Sequence, residues 1–248
     1  MFHSTKLFKL FFGLCFLVFF LSSFHADQGR LSVHLESKRL HKGQVITTIA
    51  DMYFKNSDGS LVVHYIKPND YVFITNAVGE AKVYYPDKNE VIVSQNDLFS
   101  SENDVLYTFL SNRHSDMGLK EGGFTLTSSR KDEKNYLVTT WVPQAPQKSL
   151  VSKIELVHEG FFPIYMSYYG SNGKVYKKTY FSSYYTKGAS PFPTQIIEID
   201  YLPKNDSIVS RKRYSDIRIN GEANSSYFGY TVPSNAKLIK LQPKAKNK

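Results

Sequence analysis

The feature that most constrains the fold of this chain is its pattern after residue 30, where short runs rich in Val, Ile, Thr, Tyr and Phe alternate with turn signals. Such signals stand at Lys42-Gly43, Asp58-Gly59, Asn172-Gly173 and Asn220-Gly221. Residues that favour strands, placed between turns of this kind, are typical of hairpins. The pattern therefore predicts a meandering antiparallel sheet.

The spacing of the turns predicts many strands in one mainly β fold. A strongly twisted sheet of more than about ten strands tends to curl, close or split. Curling creates a concave face, which side chains, a helix or a ligand can fill. We expect strands near 31–40, 44–55, 61–66, 71–76, 81–85, 89–94, 123–128, 135–142, 151–158, 162–169, 174–185, 194–202, 207–219 and 227–232.

One segment interrupts the strands with a helical pattern. Ser100 or Ser101 is a suitable N-cap, and acidic residues follow in the first turn. An apolar stripe comes next at helical spacing, formed by Val105, Leu106, Phe109 and Leu110. The pattern predicts a helix of three turns over 101–111 that buries one face against the sheet.

The stretch 65–91 carries bulky apolar side chains on both faces of its predicted strands. Val72 and Ile74 alternate with Tyr71 and Phe73. A simple surface hairpin shows one polar face. The stretch therefore predicts a sheet covered on both sides, either by protein alone or by protein on one side and another molecule on the other. Periodicity does not decide which set faces inward.

The N-terminus has the layout of a secretory signal peptide. Lys6 and Lys9 precede an apolar run over 10–21, and small residues follow up to Ala26. We expect export and cleavage after residue 26, with an uncleaved anchor as the alternative. The single cysteine, Cys15, lies in the apolar run. A mature chain of residues 27–248 then has neither disulfides nor a thiol nucleophile.

About 220 residues remain after cleavage, and no low-complexity linker divides them, so we expect one domain over 27–248. The formal net charge of the full sequence is +9, and removal of two leader lysines lowers it to +7. The basic residues are scattered along the chain. Scattered positive charge favours anionic surfaces such as lipid headgroups.

Motifs for catalysis, metals and nucleic acid are weak. The consecutive residues 114–116, His-Ser-Asp, do not converge as a relay requires. His158 points away from Glu155 and Glu159 if the segment is a strand. The basic run 211–213 splits between the two faces of a strand. We therefore expect no enzyme, no metal, no cofactor and no nucleic-acid partner.

Two segments resemble the LolA family, the periplasmic carriers of outer-membrane lipoproteins. The first is "LVVHYIKPNDYVFITNAVGEAKVYYPDKNEVIV", in which an aromatic-rich strand ends in a proline and a strand, a turn, an aromatic strand and a second turn follow. The second is "RYSDIRINGEANSSYFGYTVPSNAKLI", which resembles the family's closing strand and its ending. The resemblance spans roughly 30 to 240. The matching pieces of the first segment are His64-Tyr65, Pro68, Val72 to Thr75, Gly79, Val83 to Tyr85 and Pro86-Asp87.

The resemblance implies an unclosed antiparallel β-barrel with a short helical lid over an apolar cavity for acyl chains. It also implies a periplasmic location, an acylated lipoprotein or lipid as ligand, an inner-membrane releasing transporter, an outer-membrane acceptor and a monomeric state. The family's arginine-proline pair ahead of the aromatic strand is absent here. Residues that either line the cavity or pack as ordinary core are Leu61, Val63, Tyr65, Phe73, Val83, Tyr85, Leu106, Phe109, Leu110, Trp141 and Met166.

The sequence thus predicts a soluble periplasmic carrier of lipids or lipoproteins. The alternative is a binding module of the same fold that senses envelope lipids without passing them on. An enzyme is the third and weakest hypothesis, because no acid, base and nucleophile converge.

Overall fold

The computed structural model describes residues 29–96, 99–101, 104–111, 113–187 and 191–239. Antiparallel strands dominate these residues, which confirms the mainly β prediction. The strands are β1 (Arg30–His41), β2 (Gln44–Lys55), β3 (Ser60–Lys67), β4 (Tyr71–Thr75), β5 (Glu80–Tyr85), β6 (Glu90–Gln95), β7 (Phe124–Lys131), β8 (Leu137–Pro143), β9 (Val151–Glu159), β10 (Phe162–Gly170), β11 (Val175–Tyr185), β12 (Phe192–Leu202), β13 (Asp206–Ile219) and β14 (Lys237–Leu238).

All fourteen strands belong to one unclosed sheet in the order β14-β6-β5-β4-β3-β2-β1-β13-β12-β11-β10-β9-β8-β7. The order describes two meanders, β1 to β6 and β7 to β13. They are joined by an antiparallel pairing of β1 with β13, which runs from Leu31 opposite Ile219 to His41 opposite Ile208. The predicted unclosed, strongly curved antiparallel sheet is confirmed.

The connection between the two meanders explains what fills the sheet. β6 lies near one edge and β7 forms the other, so residues 96–123 must cross the whole sheet; we call them the crossing segment. They contain the helix α1 (Val105–Leu110). Tyr107 meets Phe54 of β2 edge to face, and Phe109 meets Phe181 of β11 in the same way. One short helix touches strands four places apart only because the sheet curves around it.

The predicted helix over 101–111 is wrong in length and in its cap. α1 has six residues, and the Asp104 carboxylate accepts the Leu106 N–H at 2.8 Å. The serine hydroxyls are used elsewhere, since Ser100 donates to the Ala77 carbonyl at 2.7 Å and Ser101 to the Gly59 carbonyl at 2.6 Å. These bonds fasten the crossing segment to hairpin turns.

The predicted strand over 227–232 is also wrong. Residues Ser226–Gly229 form a 3-10 turn, and the Ser225 hydroxyl caps it by accepting the Tyr227 N–H at 3.2 Å. The aromatic residues there stack on the sheet and do not join its ladder. The last strand is the two-residue β14, which pairs in parallel with β6. The other thirteen predicted strands are confirmed, with ends shifted by a few residues.

The predicted signal peptide over 1–26 lies outside the described residues. Within the part of the chain that the structure describes, every helix is too short, or not apolar enough, to cross a membrane.

Candidate functional site

The concave inner face of the sheet carries the main apolar cluster of the protein. Strand alternation points Met52 of β2, Val63 of β3 and Ile196 of β12 toward α1, and each is at most 4% exposed. Leu106 and Phe109 reach into this cluster from α1 and are 1% and 0% exposed. The crossing segment therefore closes the inner face from above.

The structure places eight of the eleven predicted cavity residues on the strands of this inner face and the other three, Leu106, Phe109 and Leu110, on α1 above it. Nine belong to the apolar cluster or pack directly against it: Leu61, Val63, Tyr65, Phe73, Leu106, Phe109, Leu110, Trp141 and Met166. Val83 is opposite Phe73 in the strand register, and the Tyr85 ring lies 5.9 Å from that of Tyr71. Val83 and Tyr85 therefore continue the same face toward the sheet edge.

The strand register also shows which of the two alternating sets of side chains in the stretch 65–91 faces inward. Tyr71 and Phe73 point to the inner face, whereas Val72 and Tyr84 point to the outer face, where they are 1% and 6% exposed. Burial that strong on an outer face requires a cover. The cover is residues 220–239, which we call the C-terminal segment.

Stacked aromatic rings hold the C-terminal segment on the outer face. The Tyr227 ring stacks at 4.9 Å on Tyr53 of β2 and at 5.2 Å on His64 of β3. The Tyr227 hydroxyl and His64 Nδ1 are 3.1 Å apart, and His64 Nε2 lies 3.1 Å from the Asp70 carboxylate. Tyr230 extends the stack, at 5.3 Å from Tyr227. Around Tyr53, His64 and Tyr84, protein therefore covers both faces of the sheet.

A cavity of about 290 Å³ remains on the inner face, between the crossing segment and strands β10 to β13. Of the eleven predicted residues, only Met166 borders it. One wall is apolar and the other is charged. The apolar wall includes Val105, Met117, Leu119, Met166, Phe181 and Ile196, and the charged wall consists of Asp104, Lys177, Glu198 and Lys212.

Three of the charged side chains form a compact ion-pair group that we call the lysine–glutamate cluster. Lys177 Nζ lies 2.8 Å from Glu198 Oε1, and Lys212 Nζ lies 2.9 Å from Glu198 Oε2. The Glu198 side chain is 19% exposed. Burial by itself would raise the pKa of Glu198, but the two ammonium groups lower it to about 2. Glu198 is therefore ionised at neutral pH.

Burial also acts on the other titratable groups near the cluster. Burial raises the pKa of Asp104, although its hydrogen bond from Leu106 and the charge of Lys212 oppose the shift. Burial also raises the pKa of Tyr65 to about 12, and raises that of Tyr214 well above its usual value. Lys177 also interacts with the carboxylate of Asp200, which stands opposite it in the strand register.

Sequence reasoning missed the lysine–glutamate cluster, although the alternation contained a signal. Lys177 is an even number of residues from Val175 and Phe181, so the alternation puts all three on one face of β11. Glu198 follows Ile196 at a spacing of two, which puts both on one face of β12. A charged residue in the position of an inward apolar residue marks a polar interior site. The basic run 211–213 does split between faces, because Lys212 borders the cavity while Arg211 and Arg213 are exposed.

The other groups considered from the sequence have structural roles. His158 is 4% exposed, and its Nε2 lies 3.1 Å from the His114 carbonyl oxygen. The Asp116 carboxylate accepts the Gly118 and Lys120 N–H groups within its own turn. Among the described residues, no three His, Cys, Asp or Glu side chains are grouped so that they could hold a metal ion.

No family model and no curated protein matches this sequence. Solved structures do. The chain is similar to a DUF1329 family protein from Desulfovibrio piger, with a TM-score of 0.56 and 14% identity over 86% of this chain and 94% of that one.

Two further structures agree. A candidate outer membrane lipoprotein-sorting protein domain from Vibrio parahaemolyticus matches with a TM-score of 0.54 and 14% identity over 81% of this chain and 89% of that one. A LolA superfamily protein from Nitrosomonas europaea matches with a TM-score of 0.51 and 14% identity over 78% and 87%. The fold is LolA-like.

Proposed function

We propose that this protein is a soluble periplasmic carrier that binds acyl chains of lipids or lipoproteins inside its curved sheet and passes them toward the outer membrane. The observation that carries the proposal is the apolar inner face, on which strands from both meanders converge. The LolA-like fold supports it as well. The proposal requires binding and release, and no catalysis.

The energetics of acyl chains explain why a carrier is needed. At about 0.8 kcal/mol per buried methylene, a chain of roughly 16 carbons gains on the order of 12 kcal/mol from apolar burial. Such a chain does not leave a membrane for water at a useful rate. A protein that surrounds the acyl chain with apolar side chains removes most of the free-energy cost of taking it out of the membrane.

Loading requires the crossing segment to move. The cavity of about 290 Å³ is at the small end of the roughly 300–1,000 Å³ that ligand pockets occupy. Leu106 and Phe109 fill the space beside it. We propose that α1 acts as the lid, and that an entering acyl chain replaces these two side chains against the sheet.

The proposal includes the route of the protein and its partners. Residues 1–26 direct export and are removed, and residues 27–248 act as one domain and as a monomer. An inner-membrane releasing transporter supplies the acylated ligand, and an outer-membrane acceptor receives it. Determining the N-terminal residue of the protein purified from its native envelope tests the cleavage.

Native mass spectrometry with lipid extraction tests the ligand. We expect an acylated molecule to co-purify with the protein, and a fluorescent fatty acid to bind and be displaced by unlabelled lipid. The variant Val83→Asp, on the inner face, should weaken probe binding, while the matched variant Val93→Asp, on the outer face and 54% exposed, should not. A protein without bound lipid and without probe binding would contradict the proposal.

A sensor of envelope lipids is the second candidate, and the filled inner face favours it over a carrier whose cavity stays open. A sensor binds ligand and signals to a partner, and it does not deliver. Donor vesicles and acceptor vesicles with the purified protein between them separate the two functions. Delivery to the acceptor supports the carrier, whereas binding without delivery supports the sensor.

A further inference from the structure

The lysine–glutamate cluster lies on three neighbouring strands of the inner face. Lys177 comes from β11, Glu198 from β12 and Lys212 from β13. In the register, Glu198 is opposite Thr179 and Lys212 is opposite Ile196, so all three side chains share one face of the sheet. The cluster therefore has its position fixed by strand pairing and not by a loop.

Stability alone does not account for this cluster. Removing charges from water is costly, and replacing an interior ion pair with apolar side chains of similar size is often neutral or stabilising. Phe181 and Ile196, which border the same cavity, show that apolar residues fit there. Three charges at inward positions point to a ligand that needs them.

Both lysines keep hydrogen-bond donors for such a ligand. An ammonium group has three N–H donors, and each of these two gives one to Glu198. Their side chains are 31% and 34% exposed, and both border the cavity. The ammonium groups of Lys177 and Lys212 therefore present donors to the cavity, and an anionic oxygen is the acceptor that such donors bind most strongly.

The wall opposite the cluster is apolar. Met117 and Leu119 from the crossing segment and Met166 from β10 border the same space. Methionine side chains adapt to irregular apolar ligands. A molecule that fits both walls has an anionic end and an apolar body.

We infer that this cavity binds an amphiphile with an anionic polar end, with the anionic oxygens between Lys177 and Lys212 and the apolar part along Met117, Leu119 and Met166. The inference rests on the proposed function, because it specifies the class of lipid that the inner face accepts. A fatty acid carboxylate and the phosphodiester of a phospholipid share this chemistry.

Paired probes that differ only in charge test the inference on the full mature chain. We expect cis-parinaric acid to bind about tenfold more tightly than its methyl ester, because charge-assisted hydrogen bonds exist only for the acid. Competition with phosphatidylglycerol and with phosphatidylcholine then distinguishes the sources. Displacement by phosphatidylglycerol alone identifies a phosphodiester ligand, and displacement by unlabelled fatty acid alone identifies a carboxylate ligand.

Variants test whether the lysine–glutamate cluster causes the preference for the acid over the ester. The triple variant Lys177→Gln, Glu198→Gln and Lys212→Gln keeps the shape of the cluster and removes its three charges together, so it should fold and bind both probes equally. The matched control Lys178→Gln changes the next residue of β11, which faces outward toward Tyr201, and should bind like the unaltered protein.

The outcomes separate this inference from the proposed function. If the unaltered protein binds acid and ester equally, or if the triple variant keeps the preference for the acid, the inference is overturned while acyl binding stands. If neither probe binds, the proposed function fails, and the inference fails with it.

Discussion

The two faces of the sheet are covered differently in the two meanders. In the first meander, protein covers both sides around β3 and β4, where Val63 is buried under α1 on the inner face and Val72 under the C-terminal segment on the outer face. In β10 to β13, the inner face borders a charged cavity, and outer side chains such as Arg211 and Arg213 are exposed. The comparison teaches that the first meander supplies stability, whereas the second has the room and the charge for a ligand.

The largest expected effect comes from a fully buried aromatic residue of α1. Phe109 is 0% exposed and contacts Phe181 and Tyr184. Phe109→Ala should lower the free energy of unfolding by about 3–5 kcal/mol, since it leaves a cavity in the core. Urea unfolding measures this change.

The same substitution should affect binding in the opposite direction. The space left by the ring adds to the cavity beside α1, so an acyl probe should bind Phe109→Ala more tightly than it binds the unaltered protein. Weaker binding by a folded variant would show that α1 does not occupy the ligand's space.

Acid should act on the second meander through Glu198. Its pKa is about 2 in the folded protein against an ordinary 4.5, so its stabilising contribution is complete above pH 4.5 and is lost as the pH falls toward 2. The loss is about 3 kcal/mol for this shift. Chemical unfolding as a function of pH should therefore show a smaller acid dependence for Glu198→Gln.

Glu155→Gln provides the matched control on the outer face. Burial opposes the ionisation of Glu155, while a hydrogen bond from Tyr169 at 2.6 Å and Lys153 at 3.1 Å lower its pKa. Because only one lysine is paired with Glu155, this variant should keep most of the acid dependence. If the two variants lost the same amount of acid dependence, Glu198 would contribute no more to it than Glu155 does.

Truncation of the outer cover should have an intermediate effect on the first meander. Tyr227→Ala removes the ring that stacks on Tyr53 and His64. We expect a loss of about 2 kcal/mol, below the cost of a fully buried aromatic ring, because Tyr227 is half-buried. Thermal unfolding measures it, and probe binding should not change. A binding defect would indicate that the outer cover contributes to the ligand site.

The smallest expected effect is that of one hydrogen bond. Tyr227→Phe keeps the stacked ring and removes only the hydroxyl that lies 3.1 Å from His64 Nδ1. The free energy of unfolding should fall by about 1 kcal/mol. A loss as large as that of Tyr227→Ala would show that the polar contact, and not the stacking, holds the C-terminal segment.

The strands could be predicted from sequence because local residues specify them. Turn residues and the period of two depend on neighbours in the chain, and thirteen strands followed from them. The cap of α1 could not be predicted in this way, because the hydroxyl of Ser101 bonds to the carbonyl of Gly59, 42 residues away in sequence. That contact exists only after the sheet has formed.

The candidate site was predicted in part for the same reason. Alternation groups the apolar residues into two sets but does not decide which set faces inward, because the partner of Tyr84 and Val72 is a segment more than 130 residues downstream that no local pattern links to them. Lys177, Glu198 and Lys212 are likewise remote in sequence and adjacent only through strand register. Their pairing required the structure.

The pairing of β1 with β13 has a kinetic consequence. It brings Leu31 opposite Ile219, and among the strands of the described residues no other pair joins the two meanders. Contacts between residues so distant in sequence form late and slow the search for the native state. Each meander can zip its hairpins locally, but the inner face acquires its curvature, and with it any affinity for a guest, only when almost the entire chain is present.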